Sequence, residues 1–404
     1  MNGDAAKSEI KASLESYLSI AKDATFAYER FLVIKKRKYL DSFIDQIPFP
    51  PFEVEIQMSS KCNLECSWCI GDEVQLGKKV LNLSNSITND NVDNIVEGII
   101  SCEIGGLRIE AVKFSGFIGE PLLPKAETLK AMQRLVGAGK RVGLFTNGML
   151  MGPDTWDTLL NIDYVHVSLD AGPSTYYWLK ESKKSPFSND SFDKVLENIR
   201  GLNEARKSKH NCQLKINVGY VVIPGNHNEI YHSSRLVKEA GADSIRFKCD
   251  IGGKHDLVRG KALDHAFEQI YKAERELKEE DVFSISAIHS KNDVKSKKYS
   301  LWQCLNGCDY QHFLATVGSD GNLYLCDHNT MPGGIPLGNV IDIPFKSVWE
   351  SDRRNYLSEG VKYTCQCKVC PPFGNRVNFF LKELRELTEK YGAELVKNAL
   401  SDIA

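Results

Sequence analysis

The chain has 404 residues, of which 42% are hydrophobic and 26% charged, and its formal net charge is −2. That length holds at least one full core and predicts two domains. Near-neutrality excludes the broad electrostatic footprint of a nucleic-acid or anionic-membrane binder. No stretch reads as a signal peptide or a membrane span, and twelve cysteines in such a chain predict metal or redox use in a reducing, cytoplasmic setting rather than a disulfide framework.

Residues 1–50 read as an amphipathic helical extension, stopped by Pro48-Phe49-Pro50-Pro51. From 51 to 290, apolar and β-branched runs alternate with helical stretches. The runs predict strands at 54–59, 109–115, 142–146, 165–170, 214–222 and 245–250, with helices at 90–100, 126–136, 192–205 and 229–240. Repeated βα units imply an α/β fold with a parallel sheet and right-handed crossovers. A second, smaller α+β region runs from 291 to 376. It contains a hairpin at 313–326 that turns through Gly318-Ser-Asp-Gly321. Residues 377–404 read as an amphipathic helix.

The cysteines cluster. Cys62-Asn-Leu-Glu-Cys66-Ser-Trp-Cys69 places three thiols within eight residues. A loop this short can bring three thiolates to three irons of one 4Fe–4S cube and supplies no fourth ligand. An iron without a protein ligand is a place for chemistry, because a cluster meant only to carry electrons normally has Cys on every iron. The competing reading is a zinc site or three buried thiols, but zinc loops favour C-x2-C pairs and a closed tetrahedron.

That spacing, with Trp68 just before the last Cys, resembles the radical S-adenosylmethionine (radical SAM) superfamily. Three further elements extend the likeness: Ser115-Gly-Phe-Ile-Gly-Glu-Pro-Leu122 after the second strand, Thr146-Asn-Gly148 ending the third, and Ser168-Leu-Asp170-Ala ending the fourth. The resemblance implies a partial (β/α)6 TIM-like barrel and SAM chelated at the open iron. It implies reductive cleavage of SAM to a 5′-deoxyadenosyl radical, with a flavodoxin or ferredoxin as electron donor. Glu120 is then the contact to the SAM amino group, and Trp68, Gly119, Pro121, Asn147, Ser168, Asp170, Asn217 and Arg246 are candidate cofactor contacts. Ile118 stands where the family has the first of paired glycines, so one backbone contact departs from the pattern.

Strand parity sets polar side chains on one face and apolar ones on the other. His166, Ser168 and Asp170 oppose Val165, Val167 and Leu169; Arg246, Lys248 and Asp250 oppose Ile245 and Phe247; Glu55 and Gln57 oppose Val54, Ile56 and Met58. Polar faces turned into the barrel predict a polar ligand; salt-bridged polar side chains at strand ends are the plainer alternative.

Cys308, Cys326, Cys367 and Cys370 resemble the C-terminal extension called SPASM or, in its shorter form, twitch. The resemblance implies one auxiliary 4Fe–4S cluster closed by four thiolates, for electron transfer or domain stability. Cys304 and Cys365 are near enough to replace assigned ligands, and a zinc ribbon is the alternative. Cys249, at the carboxyl end of the sixth strand, is a candidate hydrogen donor of the kind some twitch enzymes use, although parity groups it with Ile245 and Phe247. Cys102 and Cys212 read as core fillers.

Relatives of this layout modify either ribosomally made peptides or polar metabolites of the amino-sugar kind. The first fifty residues lack the strand-rich pattern of a leader-binding module. Together with the polar strand faces, this favours epimerisation or dehydrogenation of a small polar metabolite, with a peptide maturase as the alternative. A non-catalytic iron–sulfur electron carrier is a further reading, opposed by the open three-Cys loop.

Overall fold

The computed structural model describes residues 3–20, 28–69, 86–116, 119–180, 190–249, 260–288, 291, 308–330, 334–359 and 372–403. Ile118, Asp250, Cys304, Cys365, Cys367 and Cys370 lie outside them.

The predicted βα alternation forms. Strands β1 Glu53–Ile56, β2 Ala111–Phe114, β3 Arg141–Thr146, β4 Tyr164–Ser168, β5 Lys215–Val222 and β6 Ser244–Cys249 lie side by side and parallel. A strand beyond the expected six, β7 Ser284–Ala287, adds in parallel to β6. On the other edge, β8 Leu314–Val317 pairs in parallel with β1. It carries the antiparallel strands β9 Asn322–Tyr324 and β10 Gly338–Asn339, completing a ten-stranded sheet. The expected boundary at 290 therefore crosses a continuous sheet. The hairpin turns at Gly321, whose φ of 75° is the left-handed conformation that glycine adopts without strain.

Helices α1 Gly3–Ile20, α2 Tyr28–Lys35 and α3 Arg37–Ile44 precede the sheet. The crossovers are α4 Asn89–Ser101, α5 Lys125–Gly137, α6 Pro153–Leu159, α7 Tyr176–Lys180, α8 Ser191–Ser208, α9 Ile230–Glu239 and α10 Gly260–Leu277. After β10 come α11 Phe345–Trp349, α12 Asp352–Glu359, α13 Pro372–Tyr391 and α14 Ala393–Ile403. Among the described residues no helix is long and apolar enough to cross a membrane.

The apolar strand faces behave as their parity requires. Val54, Ile56, Val165, Val167, Ile216, Val218, Ile245 and Phe247 are buried in one core with Val96, Leu135, Ile199, Val237 and Ile270 of the crossover helices. The opposite, concave face is stacked in rungs. Glu55, Lys113, Gly143, Tyr164 and Lys215 share one rung; Phe145, His166, Asn217 and Ser244 the next; Ser168, Gly219, Arg246 and Ser286 the third. Two rungs contain a glycine where a ring needs room. A Cβ on Gly143 would lie 2.1 Å from Tyr164 Cζ, and one on Gly219 2.4 Å from His166 Nε2.

The two chain ends, expected as separate extensions, form one helical unit. Ile10, Leu14, Leu32 and Leu40 share a second core with Val377, Phe380, Leu384, Val396 and Leu400, each worth on the order of 2 kcal/mol when fully buried. Arg376 forks onto the fully buried carboxylate of Glu29, and Lys7 and Lys11 both reach Asp402. The expected C-terminal helix is two helices, broken at Gly392, where φ is 84°.

Candidate active site

The chemistry-bearing loops lie at the carboxyl ends of the strands, as in other parallel barrels. The cysteine loop after β1 is held from three sides. Below it, Glu120 N–H donates to Lys61 O at 2.8 Å. A Cβ on Gly119 would lie 2.0 Å from Ser59 O, so this close approach requires glycine. On one flank, Asn147 Nδ2 donates to Asn63 Oδ1 at 2.8 Å and lies 3.8 Å from Cys62 Sγ. On the other, Glu65 N–H and Ser67 N–H donate to the carbonyls of Lys180 and Leu179 at 3.1 and 2.9 Å, docking the loop on α7.

Within the loop, Cys69 N–H donates to Cys66 O at 3.0 Å, and Leu64 N–H approaches Cys62 Sγ at 3.4 Å. Burial pushes the Cys66 thiol up to about 12, against the pull of the Lys180 ammonium. This thiol is neutral in the metal-free chain, and its proton must leave as iron binds. The donor set suits a cluster. Three cysteine thiols on one short loop are the donor type that iron–sulfur clusters take. Among the described residues Asn63 Nδ2, buried beside these thiols, has no partner, a donor that a cluster sulfide can take up.

Glu120 is 2% exposed. Its Oε1 accepts from Leu122 N–H at 3.0 Å and Thr146 Oγ1 at 2.7 Å, and its Oε2 from Asn147 N–H at 2.8 Å. Burial raises its pKa while these three bonds oppose the rise. A carboxylate accepts about four hydrogen bonds, so Glu120 is positioned firmly and retains one acceptor site suited to an ammonium.

Asp170, a candidate cofactor contact, turns out to organise the protein. It sits at φ 54°; its Oδ1 accepts from Val221 N–H at 2.9 Å, its carbonyl from Asn226 Nδ2 at 2.7 Å, and its Oδ2 lies 3.2 Å from Lys180 Nζ. Lys180 is 1% exposed, also donates to Ser168 O, and lies 6.0 Å from the Trp68 ring centroid. Burial works to lower its pKa, but the Asp170 carboxylate outweighs it and holds the ammonium charged. Sequence reading missed Lys180. The only signal was its place at the end of Tyr176-Tyr-Trp-Leu-Lys180, a short aromatic helix directly after the Ser168–Asp170 element.

Ser168, Asn217 and Arg246 are on the concave face as expected. Asn217 Oδ1 accepts from Ser244 Oγ at 2.7 Å. Cys249 is 4% exposed and belongs to the hydrophobic core with Ile245 and Phe247, on the face away from the rungs. Cys326 closes the β8–β9 hairpin region, and Asn378 Nδ2 approaches Cys308 Sγ at 3.4 Å.

A three-thiol loop at a barrel rim, braced by Glu120 and Asn147, defines a class. Residues 56–237 match the radical SAM superfamily, and residues 308–371 the SPASM iron–sulfur cluster-binding domain. The chain belongs to the radical SAM superfamily and carries a C-terminal SPASM domain, membership that implies iron–sulfur cluster and SAM binding in general.

Among individual proteins it is 29% identical to the uncharacterized protein MJ0804 of Methanocaldococcus jannaschii, over 54% of this chain and 65% of that one. It is 26% identical to GTP 3′,8-cyclase of Streptomyces coelicolor, over 44% and 46%. It thus spans less than two thirds of either relative. The fold is shared with Streptococcus suis SuiB bound to precursor peptide SuiA, at TM-score 0.56 and 15% identity over 87% of this chain and 76% of that one. It is also shared with anSMEcpe with bound AdoMet, at TM-score 0.53 and 19% identity over 88% and 96%.

Proposed function

We propose that this enzyme modifies a peptide substrate by hydrogen abstraction from an unactivated carbon, using one SAM-binding and one auxiliary 4Fe–4S cluster. The observation that carries the reading is the bracing of the Cys62–Cys69 loop by Glu120 and Asn147 at the carboxyl ends of the strands. When bound, the cluster and SAM supply the carbon radical. The protein's own groups position the partners. Glu120 offers an acceptor for the SAM amino group, Asn147 and Lys180 fix the cysteine loop, and the rungs below hold the substrate. Cys308 and Cys326, with Cys367 and Cys370, are assigned to the auxiliary cluster. A flavodoxin or ferredoxin is the proposed electron donor, in a reducing cytoplasm.

The peptide reading displaces the small polar metabolite that the sequence favoured. Its support is the likeness of fold to SuiB with its precursor peptide and to anSMEcpe with the Kp18Cys and Cp18Cys peptides. The polar concave face keeps a polar natural-product intermediate as the second reading. The test is to reduce the reconstituted protein with dithionite in the presence of SAM and quantify 5′-deoxyadenosine. No 5′-deoxyadenosine, with both clusters intact, defeats the radical reading. Peptide panels should then stimulate turnover where aminoglycoside-type sugars do not, and the reverse result restores the metabolite.

A further inference from the structure

Among the described residues, Glu53, Glu55, Lys113 and Asp170 have charged partners and Arg246 has none. Lys113 lies 2.9 Å from Glu55 and 3.5 Å from Glu53, and Ser115 donates to Glu55, so both carboxylates are occupied. Asp170 is taken by Lys180 and Val221. Arg246, part-buried on the third rung, makes no hydrogen bond or ion pair among the described residues. A guanidinium stays charged at any working pH, and shielding one from water without an acid costs free energy.

His166 stands on the rung below and one strand across from Gly219, the register partner of Arg246. It is 9% exposed, makes no hydrogen bond among the described residues, and packs on Phe145 at 4.6 Å between ring centroids. The missing side chain of Gly219 gives its Nε2 edge room beside the Arg246 strand. Burial, and then the Arg246 charge, lower its pKa to about 3, so at neutral pH it is an uncharged ring with one N–H to give.

We propose that Arg246 and His166 form the recognition site for a carboxylate group of the substrate, one level beneath the cofactor loops. The fork of Arg246 matches the two oxygens of a carboxylate, and charge-assisted bonds of this kind are the strong ones. The neutral ring adds a donor without adding charge. The inference deepens the proposed function: the substrate, peptide or metabolite, is acidic at the point that anchors it, by a side-chain or terminal carboxylate.

The test uses the reconstituted full-length enzyme with oxidised clusters and ring-15N-labelled histidine. The His166 signal is identified by its absence in His166→Gln. Acetate is the minimal carboxylate probe, acetamide its neutral counterpart and methyl phosphate the competing anion, all at matched ionic strength. Acetate is expected to move the His166 signal saturably while acetamide does not, with methyl phosphate weaker than acetate. Arg246→Gln is expected to weaken the acetate response by about tenfold or more, and Arg246→Lys to restore part of it. The inference is overturned if acetate acts no better than acetamide or methyl phosphate, if Arg246→Gln leaves the response intact, or if that variant loses SAM affinity in step with acetate. The wild-type comparison stands even where a variant fails to fold. An enzyme that makes 5′-deoxyadenosine but ignores acetate defeats this inference alone. One that binds acetate but never cleaves SAM defeats the functional reading alone.

Discussion

Replacing Lys180 by methionine is expected to loosen the cysteine loop. The ammonium and the Asp170 carboxylate are 1% and 7% exposed and 3.2 Å apart. At an effective dielectric of about 20 their attraction is about 5 kcal/mol, most of it offset by the cost of removing both from water. Removing one partner is different, because the other stays behind uncompensated. In Lys180→Met the Asp170 carboxylate retains the Val221 N–H at 2.9 Å as its donor. The expected loss is about 3–5 kcal/mol. Asp170→Asn should cost a comparable amount by stranding the ammonium beside Cys66. The double variant should cost no more than either single change, so at about 3 kcal/mol for each the coupling is about 3 kcal/mol, at the upper end of measured pairs. Urea unfolding followed by tryptophan fluorescence measures the cycle. Iron and sulfide content after reconstitution should fall in the single variants, because Glu65 and Ser67 hang from the carbonyls of Lys180 and Leu179. Additive costs, within about 0.5 kcal/mol, would refute the reasoning and leave Lys180 as a surface-like lysine that happens to be covered.

Glu120→Gln sets an amide NH2 among three donors and should cost about 1–3 kcal/mol. SAM affinity, read by equilibrium dialysis, should fall with it; unchanged affinity would confine Glu120 to bracing the Asn147 loop. Cys249→Ala is expected to cost about 1–2 kcal/mol as a small core cavity and to leave product stereochemistry intact. Product loss with 5′-deoxyadenosine formation preserved would instead reveal a hydrogen donor. His166 and His312 are both held near 3 by burial and then by neighbouring arginines, against 6.5 unfolded. The unfolded chain thus binds more protons between these values. Their contribution is complete above pH 6.5 and is lost as the pH falls, at up to about 1.4 kcal/mol per pH unit for each ring. A pH series of unfolding midpoints should flatten in His166→Gln, and an unchanged slope would show that the ring is hydrated.

Local signals were legible and non-local ones were not. Three thiols within one loop, Glu120 after a strand and the alternation of His166, Ser168 and Asp170 against valines all lie within a few residues of one another, so spacing alone exposes them. Lys180 could not be read this way, because its role depends on residues 64–67 docking against a helix more than a hundred positions later. The small side chains of Ser284-Ile-Ser-Ala287 gave β7 too little apolar contrast to stand out. The separate terminal helices looked plausible because amphipathic period shows that a face is buried without showing against what. Asp170 was expected at the cofactor for its place in the motif. Its left-handed φ and its bonds to Val221, Asn226 and Lys180 show why that place needs a short acid even before any ligand arrives.

The pairing of β1 with β8 sets an order of events during synthesis. Glu53 faces Leu314 across that ladder, so the strand leading into the cysteine loop has an open edge until roughly 260 further residues have been made. At about 5–20 residues per second that interval lasts roughly 15–50 s. An uncovered strand edge is a template for wrong pairing, and a late partner makes folding slow. The terminal helical unit seals the same end later still, since α1 waits for α14. The nascent chain therefore carries the cysteine loop beside a strand edge that stays uncovered until β8 has been made.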